Sequence, residues 1–521
     1  MHDEGQFQRD IAAEMVASAG WQQRTASDVD RQTRLLVDDL VGYLAETQPA
    51  AVEKFAAVAG AGWQQQLAAI VAKDLDKEPG RALGLLRGGK KVRGGVRFSF
   101  CQFKPANDLN ADLVAAYGAN RLTVVLEAPV RKPDGTWDEV DLALFVNGIP
   151  VADAELKNSL TGQTVKQAVR QYRHERHPDD TLLGFRSVVH FAVDTDAVMM
   201  ASRLAGATTR FLPFNRGSSR DGAGGAGNDD PGDGSHRTSY LWREVWQRDN
   251  WLDLLHRFVH VTPADPADPD SMTEMIFPRF HQWDAVRRLE AHARTHGAGQ
   301  SYLVVHSAGS GKSNTIGWLA HRLTGLTDPA GTDRVFDKVI VVTDRRVLDA
   351  QLSATVAQFE HASAAGKVVS VDSARELADA LGRPSTRIVV STLQKFPFAA
   401  QLEAIRDAGG GRYAVLIDEA HSSQSGESAK QLKQVLTADD LGDDEQLALA
   451  AEEGAGYGEG DPVAEAVAAS AKARGRPDNV SMFAFTATPK GKTLELFGTQ
   501  HPDGRLRPFH LYSMRRNCSG P

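Results

Sequence analysis

The chain has 521 residues, 42% hydrophobic and 24% charged, which excludes wholesale disorder and indicates several domains. Its two cysteines, Cys101 and Cys518, exclude a disulfide framework and a cysteine-based zinc site, and they fit a cytoplasmic protein. The net charge of −8 means that any nucleic acid must be bound by local basic patches, and we expect neither a signal peptide nor a membrane span.

Residues 1–80 are expected to be mostly helical, because apolar residues recur at three- and four-residue steps in 11–21 and 31–46. Between Val96 and Phe191 the pattern changes to one typical of β-strands. The predicted strands are RLTVVLEAPV, VDLALFV, VADAELK and SVVHFAV.

Asn147-Gly148 joins the second and third of these strands and is typical of a β-hairpin turn. Asp141 lies on the first strand of the hairpin, and Glu155 and Lys157 are alternate residues of the second, so we expect one shared face. Two carboxylates and an ammonium group can bind Mg²⁺ and activate a water for phosphodiester hydrolysis. Lys157 would orient that water or offset charge on the phosphorane. The alternative is a solvated hairpin face that carries an ion pair.

Residues 215–237 contain seven glycines and no large apolar residue, which predicts a flexible linker or an exposed loop. The tryptophan-rich segment 240–260 follows and is predicted to be helical. Its aromatic stripe indicates packing in a hydrophobic core.

From Met272 onwards, short apolar runs without polar alternation are separated by helical stretches. Such runs are typical of strands buried on both faces of a parallel sheet, so we expect an α/β layered domain. Residues 438–471 carry ten acidic and no basic side chains, which predicts a solvated insertion. The predicted strands are SYLVVHS, KVIVVTD, RIVVSTL, YAVLIDE and MFAFTAT.

A phosphate-binding loop is predicted at His306–Ser313, where HSAGSGKS lies between a strand and a helix. Lys312 would bind the β- and γ-phosphates of a nucleotide, and Ser313 would bind Mg²⁺. His306 replaces the first glycine of the consensus, and the alternative is a chance match in a glycine-rich chain. The backbone N–H groups expected to enclose the β-phosphate are those of Ala308, Gly309, Ser310 and Gly311.

A second nucleotide motif follows at the end of the apolar strand YAVLIDEAH. Asp418 at the strand end can hold Mg²⁺, and Glu419 can polarise the attacking water. An Asp-Glu pair at a strand end is otherwise often the N-cap of a helix. Because it follows a phosphate-binding loop in the correct order, we expect an ATP site.

These motifs together resemble the motor of superfamily 2 helicases and translocases. Thr486-Ala487-Thr488 in FAFTATP resembles the family signature that couples the nucleotide to DNA. Gln282 is placed like the family's adenine-reading glutamine. The residues that this resemblance places on the phosphates of one DNA strand are Thr343, Arg345, Arg346, Thr392, Gln394 and Lys395.

The hairpin resembles the PD-(D/E)xK nuclease of type I restriction R subunits, which carry Asp followed by Glu-x-Lys in this order. The helix after it resembles their glutamine–tyrosine helix, with Gln167, Gln171 and Tyr172 as accessory candidates. A nuclease before a motor also matches that family. The resemblance extends from Leu109 to Met514.

The resemblance implies an α/β protein in which a PD-(D/E)xK nuclease domain precedes a RecA-like P-loop helicase domain. The expected domains are 1–210 for a helical region with the nuclease, 211–270 for a linker with a connecting helix, and 271–521 for the RecA-like domain. Because few residues follow FAFTATP, we expect the second RecA-like domain to be absent, the chain to be truncated and its ATPase to be weak.

The implied function is that of a type I site-specific deoxyribonuclease subunit, which uses ATP and Mg²⁺ to translocate and cleave double-stranded DNA. The implied partners are the methylation and specificity subunits of a restriction-modification complex. One alternative is a superfamily 2 helicase or remodeler without nuclease activity, whose hairpin is purely structural. Another is a non-catalytic fragment that binds nucleotide or partner subunits. A type III restriction motor is disfavoured, because that resemblance would place the nuclease after the motor.

Overall fold

This computed structural model describes residues 4–132, 134–158, 162–218, 226–265, 268–343, 367–371, 373–392, 411–418, 478–489, 491–501 and 503–512. The chain divides into two compact units, one before and one after the boundary between Phe280 and His281. Among the described residues, no helix is both long and apolar enough to cross a membrane.

The first unit combines helices with a mixed β-sheet. Its helices are α1 (Glu4–Ser18), α2 (Val37–Thr47), α3 (Pro49–Ala59), α4 (Trp63–Leu75), α5 (Arg81–Gly88), α6 (Ala111–Gly118), α7 (Val165–His174) and α8 (Arg248–Asp253). Its strands are β1 (Gln22–Arg24), β2 (Lys90–Lys91), β3 (Arg97–Phe98), β4 (Leu122–Arg131), β5 (Trp137–Val146), β6 (Ile149–Leu156), β7 (Val189–Val193), β8 (Val198–Ala201), β9 (Leu212–Pro213), β10 (His260–Asp265) and β11 (Asp268–Ile276).

The main sheet of this unit has seven strands in the order β1-β4-β5-β6-β7-β8-β9. Strands β4, β5 and β6 pair antiparallel, whereas β6 and β7 pair parallel. Every residue of β6 is buried, because neighbouring strands and packed helices cover this central strand. The four strands predicted between Val96 and Phe191 are confirmed as β4, β5, β6 and β7.

Two predicted helices differ from the structure in informative ways. The helix predicted over 31–46 begins only at Val37, because the carboxylate of Asp30 accepts the backbone N–H of Thr33 at 2.6 Å and holds a turn there. The helix predicted over 240–260 is divided into three short helical segments, of which α8 is the middle one. The aromatic stripe of that segment is buried, with Trp246 and Trp251 fully inaccessible, so its assignment to the core is confirmed.

The second unit is built on parallel strands with helical connections. Its helices are α9 (Phe280–His296), α10 (Lys312–Thr324), α11 (Ala374–Gly382) and α12 (Gly491–Phe497). Its strands are β12 (Ser301–His306), β13 (Lys338–Thr343), β14 (Lys367–Val371), β15 (Thr386–Thr392), β16 (Tyr413–Ile417), β17 (Val480–Thr486), β18 (Thr499–Gln500), β19 (Leu506–Arg507) and β20 (His510–Tyr512).

Seven of these strands form one sheet in the order β14-β15-β13-β16-β17-β12-β20, and every pair of neighbours is parallel. The five strands predicted after Met272 are confirmed as β12, β13, β15, β16 and β17. All their carboxyl ends meet at one edge of the sheet, which is where ligands bind in open α/β folds. The acidic segment 438–471 lies outside the described residues.

Candidate nuclease and nucleotide sites

The predicted hairpin turn between β5 and β6 is confirmed as a two-residue loop. Asn147 and Gly148 both have positive φ, 49° and 79°, as a turn that matches the twist of the strands requires. Gly148 also packs closely on α2, since a Cβ atom there would lie 2.3 Å from the carbonyl oxygen of Leu36. The turn is thus fixed both by its own backbone and by the helical region.

A β-bulge in this hairpin decides which side chains share a face. Val151 is an extra residue on β6 and has no direct partner on β5. Continued one residue past the Leu142–Ala154 pair, the register beyond the bulge places Asp141 opposite Glu155. Without the bulge, Asp141 would lie opposite Ala154 and the two carboxylates would point to opposite faces. The direct pairs are Val146–Ile149, Phe145–Pro150, Leu144–Ala152 and Leu142–Ala154.

The structure brings Asp141, Glu155 and Lys157 together. Asp141 accepts hydrogen bonds from the side-chain amide of Gln8 at 3.1 Å and from the backbone N–H of Leu156 at 2.7 Å. Lys157 follows the last residue of β6, and its Nζ lies 3.7 Å from the Asp141 carboxylate. Glu155 is fully buried and Lys157 is 7% exposed, so this is an interior charge cluster rather than a solvated hairpin face.

The electrostatics of the cluster favour a bound cation. Burial and the neighbouring Asp141 raise the pKa of Glu155 well above its usual value, against the opposing charges of Arg176 and Lys157. Oε2 of Glu155 is buried and accepts no hydrogen bond from the described residues. A divalent cation would offset the repulsion and use that oxygen, so these residues fit Mg²⁺, which binds through one or two carboxylates and keeps several waters. No group of three or more acidic, His or Cys side chains placed for a metal occurs in the described ranges.

The three predicted accessory residues lie on α7 in different environments. Tyr172 is buried, and its hydroxyl donates a 2.6 Å hydrogen bond to Asp153 of β6. Gln171 is half-buried. The side chain of Gln167 is exposed, and its amide oxygen accepts hydrogen bonds from the backbone N–H and the hydroxyl of Thr164. Gln167 therefore caps the helix, whereas Tyr172 ties the helix to β6.

Sequence reasoning missed further residues around the carboxylates. Asp153 has a local signal, since it lies two residues before Glu155 on the same strand. The other three, Gln8, Arg176 and His190, have no such signal, because only tertiary folding brings them near the carboxylates. The missed residues are Gln8 and Arg176, which donate to the two carboxylates, and Asp153 and His190, whose side chains meet at 2.9 Å.

The phosphate-binding loop lies between β12 and α10, as predicted. Gly309 and Gly311 have φ angles of 72° and 83°, which other residues rarely adopt, so the loop needs glycine at both positions. Lys312 is the first residue of α10 and is 9% exposed, and Ser313 is half-buried beside it. The hydroxyl of Ser310 is buried without a hydrogen bond within the described part of the chain. A helix N-terminus behind a glycine loop suits a phosphate group.

His306, the departure from the consensus, has a packing role at the end of β12. It is fully buried, and its Nε2 lies 2.9 Å from Nδ1 of His510 on β20. His510 in turn lies 3.2 Å from the Asp284 carboxylate on α9. The histidine therefore links the start of the loop to strand β20, which is distant in the sequence, and through His510 to α9, the helix that precedes β12.

Gln282 lies directly against the loop. Its side chain is 3% exposed, and its amide donates a 2.9 Å hydrogen bond to the carbonyl oxygen of Gly311. The neighbouring His281 has its Nε2 3.1 Å from the carbonyl oxygen of Ser310. The amino end of α9 thus contacts the loop at two successive carbonyl groups.

The register of the parallel sheet aligns Asp418 with the loop. Thr486 of β17 pairs with Val305 of β12, and Ala484 pairs with Ile417 of β16. Asp418, which is 4% exposed, therefore lies level with the end of β17 and one strand further from the loop. Glu419, the predicted water-activating residue, lies outside the described residues.

The predicted DNA-contacting residues are described only in part. Thr343 ends β13 and pairs with Thr392 at the end of β15, so these two lie at the same sheet edge as Asp418. Thr486 is buried and Thr488 is exposed just beyond it. The predicted residues that lie outside the described ranges are Arg345, Arg346, Gln394 and Lys395.

Comparison with known proteins finds two families along the chain. Residues 2–209 match the family described as type I restriction enzyme R protein N terminus, and residues 281–441 match the SWI2/SNF2 ATPase family. The type I restriction enzyme HindI endonuclease subunit of Haemophilus influenzae is 25% identical over 357 residues, which cover 66% of this chain. The chain spans 32% of the length of that relative.

Proposed function

We propose that this chain supplies the ATP-driven motor and the endonuclease of a type I restriction enzyme, because residues 2–209 match the family described as type I restriction enzyme R protein N terminus and a relative is the endonuclease subunit of such an enzyme. ATP hydrolysis by the second unit would drive translocation of double-stranded DNA, and the first unit would cleave it. One observation carries the proposal: a single chain joins a buried carboxylate pair on a β-hairpin to a phosphate-binding loop on a parallel sheet.

In the first unit we assign a PD-(D/E)xK nuclease in which Asp141 and Glu155 would hold Mg²⁺. A cation bound there would polarise the phosphate and lower the pKa of a water bound to it. The N–H of Leu156 and the amide of Gln8 orient the Asp141 carboxylate through its two oxygens. The buried ammonium of Lys157 orients the attacking water or offsets the charge that builds on the phosphorane.

In the second unit we assign ATP to the loop between β12 and α10. Lys312 would bind the β- and γ-phosphates, while Ser313 and Asp418 would hold Mg²⁺. Glu419 polarises the attacking water in this proposal, and Gln282 binds adenine from its place beside the loop. The backbone N–H groups proposed to enclose the β-phosphate are those of Ala308, Gly309, Ser310 and Gly311.

DNA contacts of the motor are proposed along the carboxyl edge of the parallel sheet. Thr486 ends β17 and Thr488 follows it, and the two would couple the nucleotide site to the DNA strand. Side chains at strand ends suit this role, because hydroxyl and basic groups there can bond successive phosphates without reading the bases. The other residues proposed to contact phosphates are Thr343, Arg345, Arg346, Thr392, Gln394 and Lys395.

The partners proposed for the chain are the methylation and specificity subunits of a restriction-modification complex in the cytoplasm. The relative's name identifies an endonuclease subunit of a type I restriction enzyme, and this chain spans 32% of that protein. Recognition of the DNA site is assigned to the specificity subunit, as the resemblance to type I restriction R subunits implies.

The test measures DNA cleavage and ATP hydrolysis separately in a complex reconstituted from this chain and the partner subunits. Glu155→Ala should abolish cleavage and leave DNA-stimulated ATP hydrolysis intact, whereas Lys312→Ala should abolish ATP hydrolysis and the cleavage that depends on it. Glu139→Ala is the matched control, since Glu139 is an exposed carboxylate on the same strand as Asp141. Unchanged cleavage by Glu155→Ala would favour the alternative of a remodeler whose hairpin is structural.

A further inference from the structure

Arg176, just beyond α7, is bound on three sides by the strands that carry the carboxylates. Its side chain is 4% exposed. Nε donates to Oε1 of Glu155 at 2.5 Å, and Nη1 donates to the Asp138 carboxylate at 2.6 Å. Nη2 donates to the backbone carbonyl of Glu139, also at 2.6 Å. The guanidinium group is therefore held in one orientation by β5 and β6 together.

The end of α7 and the residues just after it contact β6 at two points. Tyr172 and Arg176 are four residues apart, and their partners Asp153 and Glu155 are two residues apart on β6. Asp153 and Glu155 lie about 6.6 Å apart along β6. The chain from Tyr172 near the end of α7 to Arg176 just beyond it contacts both carboxylates, so the two contacts form side by side. The hydrogen bond from Tyr172 to Asp153 therefore fixes the position along β6 at which Arg176 contacts Glu155.

We infer that Arg176 is a positioning residue of the nuclease, which holds Oε1 of Glu155 and thereby aims Oε2 at the metal position. This inference rests on the proposed nuclease function. Oε1 is occupied by the guanidinium, while Oε2 is buried and accepts no hydrogen bond from the described residues. A carboxylate that is fixed through one oxygen presents the other oxygen in a single orientation. The outer hydrogen-bond partners of metal ligands generally orient those ligands in this way.

The competing explanation is that Arg176 only anchors α7 to the sheet. Arg173 offers a matched control, because it is an arginine of the same helix and its Nε donates to the backbone carbonyl of Thr209 at 3.1 Å. It anchors the helix at a place away from the carboxylates. A purely structural role predicts that loss of either arginine has similar consequences.

The experiment measures Mn²⁺ binding to the full chain by electron paramagnetic resonance, without nucleotide, together with cleavage in the reconstituted complex. Arg176→Ala should weaken Mn²⁺ binding about 10- to 100-fold, the usual loss for an outer partner of a metal ligand. Arg173→Ala should leave it unchanged. Arg176→Lys keeps the charge but lacks the planar guanidinium, so it should lose part of the Mn²⁺ affinity. If the alanine variant does not fold, the lysine variant tests the positioning role instead.

Equal Mn²⁺ affinity in the parent and either Arg176 variant would overturn the inference, and so would an equal loss in Arg173→Ala. Glu155→Ala distinguishes this failure from that of the proposed function. If the parent chain has no Mn²⁺ site that depends on Glu155, the nuclease proposal itself fails and this inference with it. If that site exists and is indifferent to Arg176, only the positioning role is wrong.

Discussion

Gly148→Ala tests the physical basis of the hairpin that brings the carboxylates together. At φ 79° a side chain pays the strain of the left-handed region, about 1–2 kcal/mol. The added Cβ would also lie 2.3 Å from the carbonyl oxygen of Leu36 and 2.8 Å from the backbone nitrogen of Leu40. Neither atom can move without shifting α2, and such overpacking costs roughly 1–3 kcal/mol. We therefore expect Gly148→Ala to lower the free energy of unfolding of the first unit by about 2–5 kcal/mol.

Gly135→Ala is the matched control for this prediction. Gly135 has nearly the same φ of 81°, but a Cβ there meets nothing within 4 Å. Its substitution should cost only the backbone strain of about 1–2 kcal/mol. Urea denaturation followed by tryptophan fluorescence measures both variants. The reasoning is refuted if Gly148→Ala is no less stable than Gly135→Ala, because the contact with α2 would then contribute nothing.

The remaining predictions concern a buried hydrogen bond, an acidic titration and the nucleotide. Tyr172→Phe removes the donor to the buried Asp153 carboxylate and should lower the unfolding free energy by about 1.5–3 kcal/mol in urea denaturation; an unchanged midpoint would contradict this. Burial opposes ionisation of Asp284, but the hydrogen bond and charge of His510 outweigh it and lower its pKa. The stabilisation from the ionised carboxylate is thus present above the unfolded pKa of about 3.9 and is lost as the pH falls through the folded pKa. Asp284→Asn should therefore lower the unfolding free energy at pH 7, and its difference from the parent should shrink below pH about 4. A difference that does not depend on pH would count against the ion pair. Lys312→Ala should abolish binding of a fluorescent ATP analogue and leave the circular dichroism spectrum unchanged; retained binding would remove this residue from the nucleotide site.

Local patterns in the sequence were sufficient for the main central strands of both units and for the nucleotide loop. Apolar runs predicted the strand that leads into the loop and its neighbours in the sheet, because burial on both faces of a parallel sheet requires each of these segments to be apolar throughout. Asn147-Gly148 likewise predicted the hairpin turn, because the positive φ angles of the turn depend only on those two residues. The start of α2 was predicted six residues too early, because apolar periodicity does not reveal a side chain such as Asp30 that ends a turn.

Contacts between distant segments required the folded chain. His306 is a departure from a consensus when read alone, and only the neighbouring strand β20 explains it through His510. Arg176 reads as one basic residue among several at a helix end, and only the packing of α7 on β6 places it against Glu155. Such partners leave no periodic signal, because their spacing in the sequence reflects the lengths of the intervening connections.

The bulge at Val151 separates what could be predicted about the hairpin from the sequence from what only the folded structure determined. The sequence determined that two strands carry Asp141 and Glu155 and that a two-residue turn joins them. Counted from that turn without interruption, however, the two carboxylates would lie on opposite faces of the sheet. Pro150 lacks an N–H donor and is tolerated at bulges, and one extra residue there shifts the register so that the carboxylates face each other. Since a one-residue shift reverses every side chain beyond it, the pairing of β5 with β6 decided whether the two carboxylates lie on the same face of the sheet.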